Sequence, residues 1–377
     1  MMQIPAWIEF KKGKVEQIVE KISEETEVLR LTVDHPCKLA VLYTPLTGPV
    51  NIGDTVLLNT TASSLGLGTG GYHFVICNLN QAGVYFKSRG HGMKLKYTPF
   101  QMQRLLSEEQ QSPYHNHYDH PVDFHNKLIY IGELHSMLMP LCAYFKYYCG
   151  PGIRIAYIMT DHGALPVGFS KNVAVLKDKG LLDVTITTGN AFGGEHECIN
   201  IYTSLRTALN IENCHIAIVT MGPGILGTGT VYGFSGLELG LYANLIAGSG
   251  GSIVYIPRLG FNDIRQRHMG ISHHSVTVLR DIVQYSLPLI LPFMDRQKRN
   301  KVIEQLKENG LSGKHRIVFM EGREIEQALY HYDLHPTTMG RGLDEEPQFF
   351  YAIGAAGRYG LKYFSSLLSG DYKRDRL

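Results

Sequence analysis

The sequence predicts an α/β protein: a doubly wound, mostly parallel, Rossmann-like sheet preceded by a small N-terminal β-barrel or β-sandwich. Three observations carry this expectation. From Ile153 onward, short apolar runs alternate with helix-like segments, the pattern of strands joined by crossover helices. The stretch His215–Pro257 contains one charged residue, Glu238, so nearly all of it must be covered, as a central parallel strand and its packed helix are. Residues 1–97 read instead as short β-type runs separated by turn material.

In chain order, the N-terminal runs are Val28–Val33, Lys38–Tyr43, Thr55–Asn59, Tyr72–Cys77 and Val84–Phe86, punctuated by Asn51–Asp54 and the glycine-rich Gly66–Gly71. Residues 98–112, opened by Thr98-Pro99, are expected to be helical. Ser112–Asn126 is polar, histidine-rich and bounded by prolines, which reads as a loop, and Leu128–Tyr148 returns to an apolar helix pattern. Together these make 98–150 a helical linker region packing on the main domain. The domain from 151 to 377 then carries strand-like runs at Ile153–Met159, Val184–Thr187, Ile216–Met221, Ile253–Ile256, Leu287–Leu291 and Ile317–Phe319. The helix-like segments between them fall near Val167–Lys179, Glu197–Leu209, Gly236–Ala247, His273–Gln284, Asp295–Asn309 and Ile325–His331, with a last helix after Asp344. The charged cluster Lys373–Arg376 reads as a polar end.

Composition narrows the partners. With 36 Lys+Arg against 34 Asp+Glu there is no basic surface to attract nucleic acid. The longest apolar runs, Leu134–Tyr148 and Leu237–Ala247, carry polar breaks and are too short to span a bilayer. The six cysteines lack disulfide-framework or C-x-x-C spacing, and the first residues lack an apolar signal segment, so a cytoplasmic location is expected. Charged residues make up only 19 %, which leaves surface to be covered by a homo-oligomer.

In open parallel sheets, ligands bind beyond the carboxyl ends of the strands. That rule gathers loops distant in sequence: Thr160–Gly163, Thr188–Glu197, Gly222–Thr230 and Arg258–His274. The glycine loop GPGILGTGT fits G-x-G-x-x-G after a strand, but its helix restarts only near Gly236. It lacks the lysine of a P-loop, and Pro223 removes a donor. Its backbone and hydroxyls remain candidates for a phosphate or carboxylate nest. The expected ligand contacts are Asn190, Gly193, Gly194, Gly222, Gly224, Gly227, Thr228, Thr230, Arg258 and Arg267, the arginines supplying positive charge. The alternative is a tight connection needing glycine for backbone clearance. Proton transfer would fall to Asp161, His162, His196 and His273. A metal would draw on His162, Glu195, His196 and His274, although no helical H-x-x-x-H spacing unites them. The string His115–His120 spells H-x-H-x-D-H, a pattern of dinuclear zinc hydrolases, but no strand pattern precedes it, and it reads as a polar linker. There is no G-x-S-x-G nucleophile elbow.

The blocks AYIMTD (156–161), GALP (163–166), GNAFGG (189–194), MGPGILGTGT (221–230), GFSGLE (233–238) and GISHH (270–274) resemble a bacterial family known as domain of unknown function thirty-eight sixty-six. The resemblance implies a bacterial cytosolic protein of this length and brings no reaction, cofactor or catalytic residue with it. The functional expectation therefore rests on the strand-end rule. It is a protein binding a small anionic molecule that bears a phosphate or carboxylate, nucleotides among the candidates, with an unassigned reaction and an unknown cofactor. A metal-dependent hydrolase and a non-catalytic oligomeric module are the alternatives.

Overall fold

The computed structural model of the chain describes residues 6–68, 70–81, 83 and 89–368. The expected run Val84–Phe86 and the cluster Lys373–Arg376 lie outside the described residues. Backbone proximity divides the chain into two compact units: residues up to Arg104 with Gly168–Ala174, and Leu105–Val167 with Val175 onward.

The first unit contains a closed five-stranded barrel. Its strands are β1 (Phe10–Ser23), β2 (Thr26–Val33), β3 (Leu39–Tyr43), β4 (Thr55–Asn59) and β5 (His73–Asn78), in the order β1-β2-β3-β5-β4. All pairings are antiparallel except β3 with β5. Alternate side chains fill the interior: Val15, Leu29, Leu31, Ala40, Leu42, Val56 and Leu58 are all buried. Strand β1 was not among the expected runs. Its pairing with β2 shifts register three times, and such bulges erase the period of two that marks a strand in sequence. A short hairpin, β6 (Gly92–Lys94) with β7 (Met102–Arg104), follows. Residues 98–112, expected to be helical, contain β7 and turns instead.

The second unit is built on an eight-stranded, wholly parallel sheet. Its strands are β8 (Leu128–Gly132), β9 (Ile155–Met159), β10 (Val184–Thr188), β11 (His196–Cys198), β12 (Ile216–Thr220), β13 (Ile253–Ile256), β16 (Pro288–Pro292) and β17 (Arg316–Met320). A two-stranded ribbon, β14 (Leu259–Gly260) with β15 (Gly270–Ile271), lies between β13 and β16 in the chain. The sheet order is β11-β10-β9-β12-β8-β13-β16-β17.

Helices cover both faces, which is why the strands are apolar on both sides. Ile129 and Ile131 join the core formed with Leu205, Leu239, Ala243 and Val278. Tyr130, pointing the other way, donates its hydroxyl to the carbonyl of Ala356 in the Pro347–Leu368 helix. Glycines let that helix approach: a Cβ on Gly360 would lie 2.2 Å from the Tyr130 hydroxyl.

Six expected strands of this sheet are present. Two more were read as helix. β8 was merged with the helix Leu138–Cys149 that follows it, and β11 was taken as the start of a helix that begins at Ile201. Both errors have one cause: a strand buried on both faces has no alternation to separate it from an apolar helix. No described helix is long and apolar enough to cross a membrane.

Candidate functional site at the carboxyl edge of the sheet

Strand order gives this edge two points where the connections leaving neighbouring strands diverge, one between β9 and β12 and one between β8 and β13. Each opens a crevice of the kind that holds ligands in parallel sheets. The two lie roughly 10 Å apart, two strand spacings.

The β9/β12 end carries carboxylates. Asp161 accepts hydrogen bonds from the Asn190 backbone N–H (2.7 Å) and side-chain amide (3.3 Å). Gly189 makes the approach possible, since a Cβ there would lie 2.5 Å from the Asp161 carboxylate. Beside them Glu238, at the start of the helix Glu238–Gly248, accepts from Thr160 (2.5 Å) and from Tyr242 (3.4 Å). Burial raises the Glu238 acid above its ordinary value, while the Thr160 hydroxyl and His162 pull it back. Two of the expected catalytic residues, Asp161 and His162, thus meet Asn190 and an acid of raised pKa.

The β8/β13 end is more deeply buried. Glu133, 1 % exposed, follows β8 directly. It receives the Ser275 hydroxyl, and Ser275 Oγ in turn accepts the Arg258 N–H at 2.9 Å. Burial raises the Glu133 acid, opposed by Ser275 and Arg258. Arg258 donates to Asp263 (2.8 Å), as does Arg265 (2.9 Å), and Arg341 approaches at 3.4 Å. The Arg265 hydrogen bonds, with the Arg258 charge beside them, hold Asp263 far below the usual carboxylate range. Three histidines complete the cluster. His268 shares a proton with Ser272 (2.9 Å), and the His268, His273 and His274 ring centroids lie 4.1–5.5 Å apart. Burial pushes His268 down to about 3 and His274 to about 4, and lowers His273 as well, so all three are neutral near pH 7.

Besides Arg341 Nε, four buried polar atoms here have no hydrogen-bond partner: Glu133 Oε1, the Tyr255 hydroxyl, His273 Nε2 and His274 Nδ1. Leaving such a group unpaired costs about 1–3 kcal/mol. The two ends are tied together by one turn of chain. Phe234 stacks on His274 (4.0 Å, 10° between planes), and four residues later Glu238 reaches Thr160.

Hydrogen bonds inside the expected glycine nest engage its hydroxyls and part of its backbone. Thr228 N–H and hydroxyl both donate to the Gly233 carbonyl, and Thr230 Oγ1 accepts the Gly233 N–H. Gly227 bridges Phe234, and Ser235 exchanges bonds with Leu226. The loop is a small hairpin whose tip is exposed and whose hydroxyls are spent internally. Gly222 and Gly224 belong to the strand exit: a Cβ on Gly222 would meet Leu165 at 2.8 Å, whereas Gly224 faces open space at φ +99°. Only Gly227 touches the cluster, its Cβ position lying 3.8 Å from the His274 ring.

Gly193 and Gly194 are also engaged internally. Their N–H groups donate to Glu197 (2.8 Å) and Thr187 (3.2 Å). Glu195 pairs with Lys177 and Thr185, and His196 with Glu212 (2.8 Å) and Ser107 (3.1 Å), all around the sheet edge at β11. His274 instead sits past β13, so the residues named for a metal do not converge. Among the described residues no group of three His, Cys, Asp or Glu is placed to hold a metal ion. In the H-x-H-x-D-H string, His115 to Asp119 form a short 3-10 turn, with His115 bonded to the Glu108 carbonyl. Arg267 is exposed beside the histidines and forms no ion pair with a described residue. At the opposite, amino edge a cavity of about 230 Å³ is lined by Tyr285, Tyr359, Tyr363, Ser252, Ser286 and apolar residues, with no charged side chain.

Sequence reasoning missed Glu133, Glu238, Tyr255, Asp263, His268, Ser275 and Arg341. One signal was there to find the acids: each glutamate stands alone in an uncharged stretch, Glu133 within 128–145 and Glu238 within 215–257. A charge retained in a segment otherwise stripped of charge has to be partnered in the interior.

No curated protein and no solved structure matches the chain. The family described as "Protein of unknown function (DUF3866)" matches residues 39–357, which include the barrel from β3 onward, every strand of the parallel sheet and both crevices, and the chain belongs to that family.

Proposed function

We propose that the chain is an enzyme that binds a small anionic molecule, carrying a phosphate or carboxylate, at the β8/β13 end of its sheet. The observation that carries this reading is the convergence of Glu133 Oε1, the Tyr255 hydroxyl, His273 Nε2 and His274 Nδ1, all buried and unpaired, beside Arg258 and the exposed Arg267. Unpaired buried polar groups are what a polar ligand would satisfy, and Arg267 is the cation left to meet its charge. Glu133 and the neutral histidines are the groups suited to proton transfer. Asp161, His162, Asn190 and Glu238 would hold the far end of the ligand. The Rossmann-like, doubly wound description belongs to the same proposal. Its support is the reversal of connection direction at the two crevices, where nucleotides bind in such folds.

A thermal-stability screen with phosphorylated sugars, nucleotides and small carboxylates tests this reading. A ligand at 100 times its Kd adds about 2.7 kcal/mol, a rise of several degrees in Tm. A flat response across the whole panel would sink it.

A second copy of the chain is the partner we propose for the uncharged face beside the site. Leu241 is 56 % exposed and Leu245, one turn on, 38 %, with Leu226, Val231 and Tyr232 exposed on the hairpin before them. Solution mass by light scattering decides it, a monomer being the contrary result. The six free cysteines fit a reducing, cytoplasmic setting.

A further inference from the structure

The barrel holds a second constellation, unrelated to the sheet edge. Ser63 lies in the short helical turn Thr61–Ser64 after β4, and His73 opens β5. Ser63 Oγ is 2.7 Å from His73 Nδ1. The other ring nitrogen, Nε2, lies 3.1 Å from the Cys37 carbonyl, which can only accept. A neutral His73 must therefore carry its proton on Nε2 and present Nδ1 as an acceptor to the Ser63 hydroxyl, which also has the Thr60 carbonyl within reach at 2.9 Å. Burial lowers the His73 pKa and favours this neutral form. The ring is fully buried, and His35 packs edge-on against it at 4.6 Å.

His35 is fixed by the same logic. Its Nδ1 accepts the Cys37 N–H (3.0 Å), so Nε2–H points to Ser64 Oγ (3.3 Å), and the Ser64 hydroxyl in turn bonds to Glu9. The Cys37 thiol donates to the Gly71 carbonyl (3.0 Å), anchoring the end of the glycine-rich segment. Ser63, Ser64, His35, Cys37 and Gly71 line one open pocket of about 610 Å³. The Gly71 N–H makes no hydrogen bond among the described residues.

We propose that Ser63 is a nucleophile, with His73 as its general base and the Cys37 carbonyl as the group that orients the base, and that the pocket accepts the acyl group of a small ester. This arrangement has the three parts an activated serine needs: nucleophile, base within hydrogen-bond reach, and a third group fixing the tautomer. In the step, Ser63 Oγ bonds to the ester carbonyl carbon while its proton passes to His73 Nδ1. The carbonyl–alkoxy bond then breaks, and the departing alkoxide takes that proton from His73. Water repeats the sequence in reverse and frees the acid. The Gly71 N–H is the donor available to the carbonyl oxygen as it gains charge.

The test uses the full chain and an alkyl fluorophosphonate carrying a fluorophore. Attack by Ser63 forms an Oγ–P bond, expels fluoride and sends the hydroxyl proton to His73. One adduct, mapped by mass spectrometry to Ser63, is expected. Ser63→Ala should abolish it, and His73→Gln should slow it by about a hundred-fold, the share general-base catalysis commonly supplies. A burst of nitrophenol from p-nitrophenyl acetate, equal to the protein concentration and lost in Ser63→Ala, is the second readout. If His73→Gln fails to fold, the Ser63→Ala comparison still decides, because its hydroxyl is half-buried at the pocket wall. No adduct, or an adduct elsewhere, overturns the proposal. So does labelling at Ser63 that proceeds undiminished in a folded His73→Gln variant.

Discussion

The hairpin loop Gly222–Thr230 and the buried β8/β13 end lie side by side, and they use their polar groups in opposite ways. The loop is rich in glycine and threonine, and its two hydroxyls and the Leu226 and Thr228 N–H groups bond within the hairpin. The β8/β13 end is built on apolar strands, yet it keeps four polar atoms unpaired out of water. A loop that looks like a ligand cradle in sequence can be satisfied by its own folding, and then it asks nothing of a ligand. Groups held buried and unsatisfied do ask for one. The comparison gives four experiments, ordered by the size of effect.

The largest concerns the ion cluster. Asp263→Ala leaves Arg258, Arg265 and Arg341 without their shared carboxylate, and Arg258 is only 8 % exposed. Breaking a buried pair from one side typically costs about 3–5 kcal/mol. Urea unfolding of the variant should show that loss, and a change under 1 kcal/mol would mean the cluster is better hydrated than its burial indicates.

Next comes the ligand. Arg267→Ala should leave the Tm of the free protein unchanged, since Arg267 forms no ion pair with a described residue, and remove the Tm rise caused by the anion. Retention of the full rise would move the anion away from this end.

The third is pH. Burial holds His135 and His274 at about 4 and His268 at about 3, against an ordinary value of 6.5. The unfolded chain therefore binds up to three more protons than the folded one between about pH 6.5 and 4. Stability is fully present above 6.5 and is lost as pH falls through that window. Glu133 and Glu238 act with the opposite sign. Their raised pKa contributes stability at low pH that fades as pH rises through the folded value, so they blunt the histidine slope. Denaturant melts at pH 7.5, 6 and 5 should show the decline, and a flat profile would contradict neutral buried histidines.

The smallest effect separates the two regions most cleanly. Gly227→Ala meets only ordinary contact with the His274 ring at 3.8 Å, so stability should change by about 0.5 kcal/mol or less. The anion-induced Tm rise should survive it. In Gly194→Ala the new Cβ would press on the Thr187 backbone nitrogen at 2.8 Å, and a loss of about 1–3 kcal/mol is expected with no specific effect on the ligand. A loop that truly cradled an anion would give the reverse ranking in ligand assays.

Much of the fold could be read in advance. The six strands from Ile155 to Met320 that were expected alternate with helices because each strand-helix pair writes its own period into contiguous residues. The candidate site was read less well. Asp161 and Asn190 do meet, and His273, His274, Arg258 and Arg267 do share one end of the sheet. Gly193, Gly194, Thr228 and Thr230 look like binding residues only until their hydrogen-bond partners are known. Glu195 precedes, and His196 opens, an edge strand that three residues are too few to announce. Glu133 went unnoticed because β8 and the helix after it are both apolar throughout, and the boundary between them leaves no mark in the period.

By itself the sequence settled what is local: a β-rich first unit, a parallel α/β second unit, and which residues are too apolar to face water. Which strand lies beside which was decided only by the tertiary structure. Placing β8 between β12 and β13 brings Glu133 to Ser275, 142 positions later in the chain, and sets Tyr255 and Arg258 beside it. The reason is physical. A carboxyl's burial, its partners and its proton affinity are set by neighbours in space, and backbone pairing between parallel strands chooses those neighbours without regard to distance along the chain.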